Sequence, residues 1–313
     1  MDEVILKTEG LSKRFRGFQA VNQLNLDLYK GDIYGFLGLN GAGKTTTIRM
    51  LLGLIKPSKG KICFYGKEFL CSRLEILKSV SALVEIPIFY SYLSGFENLK
   101  LLASVAGINA NKEYLSMILE YCGLASRAND KVKSYSQGMR QRLGIAQALI
   151  GQIPVNGAGK KYPSLIILDE PTNGLDPQGI VDMRNLIKKL NKEYQITFLI
   201  SSHLLSEIEL LCNRVGIIKK GSLVAQGLIN NLITDSKAGN IKIKVVQLDK
   251  ALDVINSLDW VKVTGFNKLD NEIIARCDVD KTGELNKQLV NNQVLVTELT
   301  STKKLEEYFI SLM

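Results

Sequence analysis

The chain has 313 residues, 46% hydrophobic and 23% charged, close to the globular average, so bulk disorder is excluded. Only 6 prolines occur and no Gly-x-y or Ser/Gly tract, which excludes fibrous and low-complexity classes. The formal charge is +9, yet residues 231–313 carry 11 Lys/Arg against 12 Asp/Glu, so the basic excess belongs to residues 1–230. No aromatic-interleaved basic stripe accompanies it, so no nucleic-acid partner is expected; a phosphate-rich ligand or a membrane surface fits better.

In chain order, Val4 to Lys30 alternates apolar and polar residues in two runs, predicting antiparallel strands at a sheet edge. Ile33 to Leu37 predicts a short buried strand, followed by a glycine-rich turn and a helix from Thr45 to Leu54, which Pro57 to Gly60 breaks. Lys61 to Tyr65 predicts another strand, and Leu74 to Val84 a helix running into a strand. From Phe96 to Leu149 the apolar spacing is helical. Strands Leu165 to Leu168 and Ile196 to Ile200 flank a helix, Gly179 to Asn191, and this βαβ rhythm implies a parallel sheet. After Gly227 the character changes. Strands at Ile241 to Val246 and Val261 to Val263, with helices at Lys250 to Leu258, Thr282 to Val290 and Leu305 to Leu312, predict a small α+β unit. The expected domains are therefore 1–227 and 228–313, with a helical subdomain at about 90–150.

No apolar run approaches the roughly 18–20 residues of a membrane-spanning helix. Asp2 and Glu3 do not fit a signal peptide, so a soluble chain that is not secreted is expected. Cys63, Cys71, Cys122, Cys212 and Cys277 are odd in number and include no C-x-x-C pair, so buried thiols in a reducing compartment are expected rather than disulfides or zinc.

Gly38-Leu39-Asn40-Gly41-Ala42-Gly43-Lys44-Thr45 matches G-x-x-x-x-G-K-[ST] between a predicted strand and a predicted helix. Glycines let successive N–H groups turn inward around a phosphate chain, and the helix N-terminus adds a favourable dipole. Lys44 supplies a charge for the β- and γ-phosphates, Thr45 a hydroxyl for magnesium, and Thr46 is counted with the nucleotide-binding residues. Leu165 to Leu168 ends in Asp169-Glu170-Pro171, which places two carboxylates at the carboxyl edge of a parallel sheet. There Asp169 suits Mg2+, and Glu170 suits activation of an attacking water. Between these elements, Tyr135-Ser136-Gln137-Gly138-Met139 opens a helix, with Ser136 as its N-cap.

Taken with Asn173-Gly174-Leu175-Asp176, these motifs closely resemble the ATP-binding subunit of ABC transporters over residues 3–225. The resemblance implies a P-loop ATPase cassette: a RecA-like parallel core, an antiparallel β edge and an inserted α-helical subdomain. It also implies binding of ATP with Mg2+ and a head-to-tail pair with a second copy. In that pair Ser136 and Gly138 of one copy contact the γ-phosphate held by Lys44 of the other. Gln137 stands where the family's signature has its first glycine, and Met139 where it ends in Gln, so this signature is a variant. The resemblance further implies that His203, the sole histidine, is the switch residue against the γ-phosphate. Phe15 matches the aromatic that stacks on adenine, and Asp176 the acid of the loop coupling the two ATP sites. The implied partners are permease subunits on separate chains, with this subunit on the cytoplasmic face of the membrane.

Glu85 departs from the family, which normally has a magnesium-contacting Gln at the end of this strand. The run from Ser81 through Glu85 and Tyr92 to Leu99 resembles the bacitracin-export and lantibiotic self-immunity branch. That implies export or exclusion of an antimicrobial peptide or drug, with Glu85 at the metal. Glu298 to Phe309 resembles the closing segment of the same branch; its stripe of Leu305, Tyr308, Phe309 and Leu312 suits packing within the small unit or pairing of cassettes. Gln152 to Pro163 is an insertion without an assigned role, not a second P-loop, because Pro154 stands where the first Gly belongs.

Two rivals stay open on sequence. Asp176-Pro177-Gln178-Gly179 and Asn267-Lys268-Leu269-Asp270 fit the D-x-x-G and N-K-x-D patterns of GTPases, although the second lies in the small unit. A soluble ABC-type ATPase acting on ribosomes or DNA is the other, disfavoured by a single P-loop and no coiled-coil heptads.

Overall fold

A computed structural model of the chain describes residues 3–85, 87–153, 164–234 and 238–301. Two units emerge, Met1–Gly227 and Leu228–Met313. The first runs β1 (Val4–Phe15), β2 (Phe18–Leu24), β3 (Asp27–Tyr29), β4 (Ile33–Leu37), α1 (Lys44–Leu51), β5 (Lys59–Phe64), β6 (Lys67–Glu68), α2 (Phe69–Leu77) and β7 (Val80–Leu83). It continues through α3 (Gly95–Val105), α4 (Lys112–Tyr121), α5 (Gln137–Leu149), β8 (Leu165–Asp169), α6 (Pro177–Tyr194), β9 (Thr197–Ser202), α7 (Leu205–Leu211), β10 (Arg214–Lys219) and β11 (Ser222–Leu228). One sheet has the order β11-β10-β4-β9-β8-β7, and its neighbours from β10 to β7 pair in parallel. The other is antiparallel, β2-β1-β5-β6 with β3 on β1.

Every residue of β4, β8 and β9 is buried, which is why these strands read as continuous apolar runs: the parallel sheet is covered on both faces. The period of 2 sorts their side chains. Tyr34, Phe36, Leu165, Ile167 and Leu199 join one core cluster with Ile48 and Leu51 of α1 and the antiparallel layer. Ile166, Leu168, Phe198 and Ile200 join the other, with Leu143 and Leu149 of α5 and Leu186 and Ile187 of α6. Asp169 at the end of β8 and Ser201 near the end of β9 therefore lie on the α1 face. A buried ion pair ties the base of the sheet: Arg214 Nε donates to Asp32 Oδ2 at 2.8 Å, and Asn213 Nδ2 donates to Asp32 Oδ1 at 2.7 Å.

The inserted helices are capped as their sequence dictates. Ser94 and Glu97 form a reciprocal capping box on α3, and Asn111 caps α4. The Ser94 N–H holds the Glu97 carboxyl below its usual range. No helix among the described residues is long and apolar enough to cross a membrane.

The second unit runs α8 (Ile229–Thr234), β12 (Ala238–Val245), α9 (Leu248–Asn256), β13 (Lys262–Asn267), β14 (Glu272–Asp278), α10 (Thr282–Asn291) and β15 (Val296–Ser301). Its sheet order is β13-β14-β12-β15, all antiparallel. This is the split βαββαβ arrangement. Its core of Ile241, Ile243, Ile273 and Ala275 is closed by Ala251, Ile255, Leu285 and Leu289 from the two helices. The sequence reading did not anticipate β10, β11, β14 or β15. The helix expected at Leu305 to Leu312, and residues 154–163 of the insertion Gln152 to Pro163, lie outside the described residues.

Both GTPase-like patterns are turn and cap structures. Asn267 Nδ2 donates to Asp270 Oδ2 at 2.7 Å within the β13–β14 turn, and Asp176 Oδ1 accepts the Gly179 N–H at 3.0 Å as the N-cap of α6. The cysteine expectation needs correction: all five are free, but Cys71 is exposed and Cys63 and Cys212 are only partly buried. Cys71 lies near the start of α2, on a face the core does not cover.

Candidate functional site

The parallel strands deliver their loops to one edge. Gly38 follows β4, His203 follows β9, and Asp169 and Glu170 end β8. The first of these loops wraps the entry to α1. Gly41 and Gly43 have φ of 80° and 108°, and a Cβ on Gly43 would stand 2.6 Å from the Ala20 carbonyl oxygen. Only glycine meets both demands there. Lys44 opens α1 almost fully buried, and its Nζ donates to the Gly38 carbonyl at 2.7 Å.

The acids meet this loop directly. Thr45 Oγ1 donates to Asp169 Oδ2 at 2.8 Å. Glu170 Oε1 lies 3.1 Å from Lys44 Nζ, and its Oε2 lies 2.8 Å from His203 Nδ1. An ionised carboxylate only accepts, so the imidazole donates from Nδ1. Glu170 thus bridges the P-loop cation and the lone histidine. Its φ is 50°, a left-handed value uncommon outside glycine and a mark of functional sites. A second contact ties down the helix that follows the histidine: Thr172 Oγ1 donates to Glu207 Oε2 of α7 at 2.5 Å.

These groups frame a cleft of about 490 Å³, lined among others by Phe18, Leu39, Lys44, Thr45, Glu170 and His203. Asn40, Gly41, Gly43 and Thr46 also line it, as does Asn173, which opens the motif ending in Asp176 and carries no nucleotide role by sequence alone. Asp169 Oδ2 and Thr45 Oγ1 are hard oxygen donors side by side. Mg2+ takes one or two such protein oxygens and fills its octahedron with phosphates and waters, so this pair fits it.

The remaining expected residues lie elsewhere. Phe15 is not on the cleft lining; it is the cross-strand partner of Phe18 in the β1–β2 hairpin, and Lys13 Nζ sits 4.9 Å from its ring. Ser136 is exposed at the start of α5, where its hydroxyl accepts the Met139 N–H at 3.2 Å. A Cβ on Gly138, which is half-buried, would be in ordinary contact with the Leu175 side chain at 3.8 Å. Gln137 Nε2 donates to the Asn173 carbonyl at 3.3 Å, joining this loop to the one ending in Asp176.

Glu85 differs from expectation. By register it stands two residues beyond Leu83, as Glu170 stands two beyond Leu168. Its carboxylate, however, is paired with Arg49 of α1 and does not join Thr45 and Asp169. The sequence reading gave no role to Arg49, whose place in the last turn of α1 is that of an ordinary solvated helix residue.

Residues 21–173 match the family described as ABC transporter. The chain is 43% identical to the bacitracin transport ATP-binding protein BcrA of Bacillus licheniformis, over 99% of this chain and 97% of that one. It is 37% identical to the lantibiotic transport ATP-binding protein SrtF of Streptococcus pyogenes, over 71% of this chain and 90% of that one. Among solved structures it is similar to cbiO1 of Clostridium perfringens, described as part of the ABC transporter complex cbiONQ. There the TM-score is 0.65 at 26% identity, covering 75% of this chain and 92% of the other.

Proposed function

The chain belongs to the ABC transporter ATP-binding family, and from that premise we propose that it powers export or exclusion of an antimicrobial peptide through membrane subunits on separate chains. ATP hydrolysis is the family's activity. The observation that carries the cargo class is near-full-length identity to a bacitracin transport ATP-binding protein, supported by similarity to a lantibiotic transport one.

In the proposed cycle the backbone from Gly38 to Thr46 cradles the phosphates, and Lys44 leaves the Gly38 carbonyl and Glu170 for the β- and γ-phosphates. Thr45 and Asp169 would hold magnesium, which when bound would supply neutralisation of the triphosphate's charge. Released from Lys44, Glu170 accepts a proton from the attacking water, and His203 keeps that carboxylate oriented through Nδ1. The aromatic surface for adenine comes from the hairpin bearing Phe15 and Phe18. With Ser136 exposed at the start of α5, a head-to-tail second copy completes each site through Ser136 and Gly138, and Asp176 lies on the loop that links the two.

For the permease we propose a groove of about 730 Å³ between α2 and β7 on one side and α3 and α5 on the other, lined by Leu74, Leu77, Val105, Ile108 and Ile150. The loop continuing from β7 exposes Ile88, Tyr90 and Tyr92, apolar surface of the kind that marks a protein interface. In this reading the subunit sits against the inner face of the membrane. The test is resistance of a susceptible bacterium expressing the chain with its permease. The reading predicts raised tolerance to bacitracin or a lantibiotic, lost in Lys44→Ala; unchanged tolerance to every cell-envelope peptide contradicts the cargo class.

A further inference from the structure

Ser201 is wholly buried near the end of β9, and its hydroxyl is spent on the two acids. Strand register sets it beside Asp169, and the alternation of side chains turns both to the α1 face. Its Oγ donates to Asp169 Oδ1 at 2.5 Å and accepts the Glu170 N–H at 3.0 Å. The two oxygens of Asp169 are thereby assigned to different partners, Oδ1 to Ser201 and Oδ2 to Thr45. Turning the carboxylate away from the P-loop would break both bonds. The same hydroxyl also anchors the backbone of Glu170 at its left-handed φ, a conformation that persists only where the surroundings determine it.

We propose that Ser201 is the positioning residue of this magnesium site: it presents Asp169 Oδ2 to the metal and holds Glu170 in register with Lys44. The inference rests on the reading of Asp169 as the metal-holding acid. It assigns to a buried serine what would otherwise pass as strand packing, and it predicts an effect that packing alone does not produce. Groups that orient a metal ligand typically change metal affinity by about 10–100-fold when removed, whereas the Ser201 hydroxyl is bonded to the two acids and not to the P-loop.

The experiment is binding of a fluorescent ATP analogue to the purified full-length chain, first in EDTA and then through a MgCl2 titration, for the parent, Ser201→Ala, Ser201→Thr and Asp169→Asn. Thermal melting is followed in parallel. Ser201→Ala is expected to bind the analogue in EDTA like the parent but to need about tenfold more magnesium for the half-maximal response. Ser201→Thr, which keeps the hydroxyl, is expected to respond like the parent. A parent-like magnesium response in Ser201→Ala, an equal loss of affinity with and without magnesium, or a Thr variant that behaves like Ala would overturn the proposal. Asp169→Asn separates the two layers. If it keeps the parent's response, the metal reading itself fails; if it loses the response while Ser201→Ala keeps it, only the role of Ser201 falls.

Discussion

Glu85 and Arg49 form an ion pair that joins the loop after β7 to the last turn of the helix opened by Lys44. Both side chains are largely exposed, 63% and 43%, and such pairs contribute about 0–1 kcal/mol. Their meaning is mechanical rather than energetic: the loop proposed to meet the permease is tied to the helix that Lys44 opens. Glu85→Ala is expected to leave ATP affinity within about twofold of the parent, since a solvent-exposed pair carries little binding energy, and to impair peptide resistance. Glu85→Gln, which still accepts a hydrogen bond from Arg49, should be milder. Resistance in cells, read beside ATPase activity of the purified complex, checks this. Loss of nucleotide binding in Glu85→Ala, or untouched resistance, defeats it.

The hairpin aromatics make a separable prediction. Phe15 and Phe18 are cross-strand partners and both are exposed. Base–aromatic stacking is worth about 1–3 kcal/mol, so alanine at the stacking position should raise KM for ATP about fivefold or more, with little change in kcat, the signature of lost uniform binding. Steady-state kinetics of both single variants would show it. Unchanged KM in both removes the hairpin from the site.

Asp32 predicts a stability effect without a chemical one. Buried at the start of β4, it accepts hydrogen bonds from the Tyr29 N–H, Asn213 and Arg214. Truncating one member of a buried charge pair typically costs about 3–5 kcal/mol. Asp32→Ala should therefore lower the urea midpoint clearly while keeping the ATP affinity of whatever fraction remains folded. A midpoint equal to the parent's contradicts the assignment.

The cysteines offer a chemical map of the fold. Burial pushes the Cys122 thiol up to about 12 and the Cys212 thiol up as well, so both stay protonated near neutrality. The thiolate is the reactive form. Brief alkylation at neutral pH, followed by peptide mass analysis, should mark Cys71 first and reach Cys122 only after denaturation. Early labelling of Cys122 would mean that the packing of α4 is not as described.

Legibility in the sequence followed the range of the forces involved. The P-loop and the strand ending in Asp169-Glu170 were readable because both are local: glycines set backbone angles, and a buried parallel strand needs an unbroken apolar run. Ser201 was readable in principle, since Leu199-Ile200-Ser201 continues a period of 2, but its partner belongs to a strand 32 residues away. Arg49 could not be found from the sequence at all. Nothing around it distinguishes an arginine that reaches Glu85, 36 positions on, from one that reaches water. The missed strand β14 alternates Ile273, Ala275 and Cys277 inward with Glu272, Ile274 and Arg276 outward. Its weakly apolar inner face gave a faint signal until the pairing with β12 completed it.

The central claim is that Glu170, held between Lys44 and His203, is the base that activates water. Glu170→Gln keeps the shape and the hydrogen-bonding reach of the side chain and removes its basicity. The decisive measurement is hydrolysis of ATP by the purified Glu170→Gln protein, with nucleotide retention and oligomeric state followed on the same sample. The account predicts bound ATP, a nucleotide-dependent dimer and turnover reduced by about 10²–10⁴-fold. Hydrolysis at the parent's rate would contradict it.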